Sequence, residues 1–204
     1  LEGATRLVWY PAEVDVSIRP GWFYHEEQDA KVKTVTELVD IYYKSVGRNC
    51  VLLLNIPPDR RGLFHENDVA ALKGMRAEIA RVFARNLAAD AVFSIEQGSA
   101  LTDGALRSHI LLNAGESVEI NLPEARRCDV LMLQEDITVG QRAEKFLLEA
   151  WVDEEWQSVA SGTTIGYKRL IRFEAVETGR LRLTIEEGRG PVALAEFGVY
   201  LESE

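Results

Sequence analysis

The sequence predicts an α/β segment followed by an all-β segment, and two observations carry that reading. Between residues 30 and 86, apolar side chains recur every three to four positions on either side of an unbroken run, Cys50-Val51-Leu52-Leu53-Leu54-Asn55-Ile56. From about residue 90 the period falls to two, in short alternating pieces set apart by turn residues. The division separates residues 1–89 from 90–204.

Residues 7–10, Leu-Val-Trp-Tyr, read as a strand that runs into a dense polar and aromatic stretch. A helix is predicted from Ala30, with Val32, Val35, Leu38, Val39 and Tyr42 or Tyr43 on one face and Gly47 as its stop. The run 50–56 does not alternate, as expected of a parallel strand buried on both faces, and Pro57-Pro58-Asp59 ends it. A second helix, capped by Asn67 or Asp68, extends to about Asn86 with Val69, Leu72, Met75, Ile79 and Val82 or Phe83 on its apolar face. Helix, strand and helix in this order indicate a parallel sheet. About 90 residues cannot close a parallel (β/α) barrel of roughly 250, so the segment reads as the last quarter to third of one.

In the second segment, 117–122, 171–175 and 180–186 alternate cleanly, and 129–133, 145–152, 157–160 and 196–200 are further strand candidates. Turn signals such as Asn113-Ala114-Gly115-Glu116 between them argue an antiparallel β-sandwich. Trp151 and Trp156 fall at natural core positions, which favours a buttressing role over ligand binding. Glu135 and Asp136 alone offer too few oxygens for calcium, and neither a metal nor a cofactor is expected.

The formal charge of −10 lies in the second segment: residues 1–89 hold 12 Lys+Arg and 12 Asp+Glu, and the remainder 11 and 21. A chain with this balance and no basic stripe is a poor partner for nucleic acid. The longest apolar run is far short of the roughly 20 residues that cross a bilayer, so no membrane partner is expected. Cys50 and Cys128 sit in no metal-ligand spacing and read as core thiols.

The chemistry concentrates in residues 9–25, which hold two carboxylates, an arginine and a histidine among aromatic rings. In an α/β barrel, catalytic groups stand at the C-terminal ends of strands, a position that Glu13 fits if 7–10 is the strand. A carboxyl wedged among Trp9, Tyr10 and Trp22 would be desolvated and its pKa raised toward that of a general acid. Glu13 is therefore the candidate proton donor. Asp15 is assigned to the other side of the strand and to an ion pair with Arg19. His65 and His109 have no partner pattern, and Asn55 is read as structural.

Trp9-x-Pro11-x-Glu13-x-Asp15-x-Ser17-x-Arg19-Pro20-Gly21-Trp22-Phe23-Tyr24, then Lys33-Thr34, Tyr42-Tyr43-x-Ser45-Val46-Gly47-Arg48-Asn49, and Leu52-Leu53-Leu54-Asn55-Ile56-Pro57-Pro58-Asp59-x-Arg61-Gly62-Leu63, resemble the bacterial α-L-fucosidases of glycoside hydrolase family twenty-nine. Gln134-Glu135-Asp136-Ile137, Gly140-Gln141-Arg142, residues 162–169 and Glu196-Phe197-Gly198 are similar to a galactose-binding-like, discoidin-type module. The resemblance implies a retaining exo-hydrolase of fucosylated glycans that uses two carboxylates about 5 to 5.5 Å apart. It implies Glu13 as the acid/base, Trp22 beside the fucose methyl, Arg19 and His25 near the rim, and α-1,3/1,4 branches as substrates. The family's aspartate nucleophile belongs to an earlier strand, and Asp15 is too near Glu13 to replace it. The chain then reads as a C-terminal portion that needs the N-terminal part of the barrel as partner, is inactive alone, and is exported to the bacterial periplasm or outside the cell. The alternative is a non-catalytic carbohydrate-binding or scaffold module.

Overall fold

The computed structural model describes residue 10 and residues 12–203. Strand β1 (Ala12–Ser17) runs parallel to β2 (Cys50–Asn55), with Ala12 opposite Cys50 and Ser17 opposite Asn55. A parallel pair needs a crossover, and residues 18–49 supply it with a 3-10 turn (Glu26–Lys31) and helix α1 (Val35–Lys44). Helix α2 (Glu66–Val82) follows β2 and packs on α1.

Both helices start elsewhere than predicted. Val32 is extended, and α1 begins after Thr34, whose hydroxyl accepts from the Glu37 N–H while the Glu37 carboxylate accepts from the Thr34 N–H. That capping box decides the start that apolar spacing placed at Ala30. Helix α2 is capped by His65, whose Nδ1 accepts from the Asn67 N–H at 3.2 Å, and it ends at Val82 rather than Asn86. The predicted cap residues have other partners: Asp68 pairs with Arg19, and Asn67 donates to the Asp29 carbonyl.

The predicted burial of β2 on both faces is not observed. Leu52 and Leu54 are half-buried, whereas Val51 and Leu53 are about half exposed, at 47% and 50%. Among the described residues β1 is the only strand paired with β2, and nothing covers the Val51–Leu53 face.

The remaining strands form one antiparallel sheet: β3 (Val92–Phe93), β4 (Ile110–Leu112), β5 (Ser117–Glu135), β6 (Ala143–Val152), β7 (Glu155–Gly162), β8 (Arg169–Gly188) and β9 (Val192–Tyr200). The order is β4-β9-β5-β8-β6-β7, with β3 beside β5. The alternating pieces 117–122 and 129–133 belong to one strand, as do 171–175 and 180–186. Register shifts between Asn121 and Arg126, and between Cys128 and Val130, interrupt the pairing of β5 with β8. Pro123 sits in the first shift, where its missing N–H is tolerated. One end of β5 pairs with β3 and with 180–184 of β8, and the other pairs with β9 and 169–172 of β8. Their side chains meet in a single core that includes Val118, Ile120, Leu131, Leu133, Phe146, Leu148, Ile185 and Phe197.

Cys128 lies in this core, while Cys50 is only partly buried, because it opens the half-covered β2. Trp151 and Trp156 are likewise half-buried rather than core. They form an edge-to-face pair with centroids 5.2 Å apart, on which Arg180 and Arg182 stack. Among the described residues no helix is long and apolar enough to cross a membrane.

A second apolar cluster joins the helices to the sheet: Val39 and Tyr43 of α1 and Val82 of α2 pack on Val130, Leu170 and Tyr200. Asn49, at φ 67, completes the junction. Its Nδ2 donates to Gln141 Oε1 at 2.9 Å, and its Oδ1 accepts from the Tyr167 N–H at 2.7 Å. Gly166 is required there, since a Cβ at its φ of +63 would come within 2.4 Å of Asn49 Nδ2.

Candidate functional site

The C-terminal ends of β1 and β2 are held together by Asn55, whose Nδ2 donates to Ser17 Oγ at 3.0 Å and to the Trp22 carbonyl at 3.1 Å. The loop after β1 turns at Gly21, with φ +74, and presents Trp22 half exposed beside the exposed Phe23. Trp22 thus stands at the strand ends, where a barrel would carry its chemistry.

Arg19 lies beneath this loop instead of at its rim. It is 1% exposed; its Nε donates to both Asp68 oxygens at 2.9 and 3.0 Å, and its Nη1 donates to Asp29 at 2.8 Å. The expected partner, Asp15, is exposed on β1. Nor do Glu13 and Asp15 point apart, because residues two apart on a strand share a face.

Glu13 is exposed and is the second residue of β1, so it lies within a strand and not in the loop beyond one. Ser17 lies four positions further on, about 13 Å along the strand. Of the rings expected around it, Trp9 falls outside the described residues and Tyr10 is 91% exposed. His25 is exposed, with Nδ1 3.8 Å from Glu27.

Between the loops that follow β1 and β2 lies a cleft of about 280 Å³, lined by Tyr24, Asp29, Asp59, Arg61, His65 and Glu66 among others. Asp29 is its hub: its Oδ1 accepts from Arg19, and its Oδ2 accepts from the Tyr24 hydroxyl at 3.3 Å and lies 3.2 Å from His65 Nε2. Partial burial pushes the Asp29 carboxyl up, but the Arg19 hydrogen bond and the charges of His65 and Arg19 outweigh it and hold the group below its ordinary value. Burial and the Asp29 charge push the Tyr24 phenol the other way. Arg61 closes the far wall, donating from its backbone and guanidinium to Asp59 and from Nη2 to Glu66 at 2.9 Å. These bonds depress the Asp59 carboxyl to about 2.

The cleft offers ionised carboxylates, an imidazole, a guanidinium and a phenol, a set that suits the hydroxyls of a polar ligand. Asp29, His65 and Asp68 carry no sequence signal for this arrangement. Asp59-x-Arg61 does, because a carboxylate closing an apolar run two residues before an arginine can fold back on it. Glu135 and Asp136 are engaged otherwise: Glu135 accepts from the backbone of Arg142, Ala143 and Gly166, and Asp136 from Thr138. Among the described residues no group of three or more His, Cys, Asp or Glu is placed to hold a metal ion.

Comparison with known proteins follows the same elements. Residues 4–79 match the α-L-fucosidase family model. A rice protein, itself a candidate α-L-fucosidase, is 41% identical over 209 residues, covering 96% of this chain and 40% of its own length. A crystal structure of a candidate α-L-fucosidase from Bacteroides ovatus is 45% identical, with a TM-score of 0.84, and covers 100% of this chain and 32% of its own. A Ruminococcus gnavus fucosidase of glycoside hydrolase family 29, solved with fucose, is 28% identical with a TM-score of 0.84, covering 96% and 42%. The chain spans about two fifths of the length of the curated relatives it matches. The family model over residues 4–79, the plant relatives and these structures agree that the chain is similar to part of the α-L-fucosidases.

Proposed function

We propose that the chain is the C-terminal portion of a retaining exo-α-L-fucosidase that removes terminal α-1,3- or α-1,4-linked fucose from glycans outside the cytoplasm. Residues 1–89 are the end of the catalytic barrel, and 90–204 are a galactose-binding-like sandwich that buttresses it. One observation carries this reading: a parallel strand pair with an uncovered apolar face, Val51 and Leu53, in a chain that aligns over nearly all its length to a minor part of longer α-L-fucosidases. The uncovered face is where the N-terminal strands would dock.

In this scheme Trp22, half exposed at the strand ends, lies against the apolar edge of fucose. Glu13 donates the proton to the leaving oxygen and then activates water, and the aspartate that attacks the anomeric carbon comes from the missing part. The Trp-x-Pro-x-Glu word and its exposure support Glu13; its depth on β1, well below Ser17, weighs against it. Arg19 has a positioning role, carrying the Trp22 loop on buried ion pairs.

The test is release of nitrophenol from nitrophenyl α-L-fucoside. The 204-residue chain should give none, and a longer protein with the N-terminal barrel should be active. Robust turnover by the chain alone would overturn the proposal. In the active protein, Glu13→Gln should slow substrates with poor leaving groups far more than activated ones. Equal loss on both removes Glu13 from the acid role and leaves the fucosidase reading standing.

A further inference from the structure

A second cleft, of about 260 Å³, opens where the end of α1 meets β8, and Asp40, Tyr43, Lys44, Arg48, Arg169 and Arg172 line much of it. Its charge is opposite to that of the chain: four cations face one carboxylate, in a protein of net charge −10. Two of the cations are already matched. Lys44 Nζ lies 2.6 Å from Asp40, while Arg172 donates to Glu202 at 2.7 Å and stacks 3.7 Å over the Tyr43 ring.

Arg48 and Arg169 are not matched. They oppose each other in an isolated antiparallel bridge, which sends both side chains off on the same side. Among the described residues neither guanidinium makes an ion pair or a hydrogen bond, although Arg169 Nε is buried. Like charges directly opposed across strands repel, and a buried donor without an acceptor is costly. Burial lowers the Arg169 pKa, and the Arg48 charge pushes it the same way. The backbone holds the two in place nonetheless: Leu170 N–H donates to the Gly47 carbonyl at 2.8 Å, and Asn49 clamps Tyr167. Two unmatched guanidiniums that leave one backbone bridge on the same side can accept a multiply charged oxyanion between them.

We propose that Arg48 and Arg169 form an oxyanion site of the sulfate class, with Lys44 at its mouth, separate from the cleft at the strand ends. The anion is either the free ion or a sulfate ester on a sugar.

Isothermal titration of the 204-residue chain with sodium sulfate, at ionic strength matched with chloride, tests this, with N-acetylglucosamine 6-sulfate and unsulfated N-acetylglucosamine as further probes. Sulfate should bind saturably at one site, and Arg48→Gln or Arg169→Gln should weaken it at least tenfold. Arg48 is exposed, so its variant should keep the circular dichroism of the parent. Tighter binding of the sugar sulfate, with none of the unsulfated sugar, identifies an ester; binding no tighter than inorganic sulfate identifies the free ion. No saturable binding of either sulfate, or binding unchanged in Arg48→Gln, overturns the proposal.

Discussion

Arg19 Nε lies 2.9 and 3.0 Å from the two carboxylate oxygens of Asp68, and neither side chain is exposed to solvent. The pair joins the loop after β1 to the first turn of α2, 49 residues away. Removing one partner strands a buried charge, which costs about 3–5 kcal/mol. Asp68→Ala should therefore lower the urea midpoint of unfolding by that equivalent, and Asp68→Asn by less. A loss below about 1 kcal/mol would mean that the second bond, to Asp29, suffices to hold Arg19.

The capping box at Thr34 should be separable from everything that follows it. Thr34→Ala removes the hydroxyl that accepts from the Glu37 N–H, and it should destabilise the chain by about 1 kcal/mol. Thr34→Ser should recover most of that loss in the same denaturation series.

Asp59 gives a pH signature. The hydrogen bond from Arg61 depresses its carboxyl to about 2 in the folded chain, below the roughly 3.9 of an unfolded aspartate. With the folded value depressed, its contribution is fully present above the unfolded pKa and fades as pH falls through about 4 toward 2. Carbon NMR should place the Asp59 midpoint near 2. In Arg61→Ala the midpoint should rise toward the ordinary value, and acid unfolding should begin at higher pH.

The two thiols should react unequally. Cys128 is fully buried, and desolvation, aided by the Asp129 charge, raises it to about 12. Cys50 is partly exposed. Ellman's reagent at pH 8 should titrate one thiol in the folded chain and two in urea, and Cys50→Ser should abolish the fast reaction.

What was legible in the sequence was local. The face of α1 bearing Leu38, Val39 and Tyr43 follows from helical spacing and is the buried one, and alternation locates the strands of the antiparallel sheet. Two pairs of these segments proved continuous, and in β5 a register shift absorbs Pro123 where sequence alone reads a break. The site was less legible. Trp22 stands at the strand ends, the position that the sequence reading gave to Glu13, and the neighbour expected for Arg19, Asp15, lost to Asp68 and Asp29. Those partners come from other elements, and no periodicity encodes an ion pair across 49 residues. The apolar run of β2 described a strand that could be covered on both faces, not one that is.

Asn49 sits one residue before β2, and Asn55, which holds the Trp22 carbonyl, closes that strand. The clasp to Gln141 and Tyr167 is thus a fulcrum, and β2 is a lever of about 20 Å. A tilt of about 3° at the fulcrum would displace the tip by about 1 Å, an error that can cost an active site about a hundredfold in rate. The antiparallel sheet would then act as the mount on which the aim of the Trp22 loop depends.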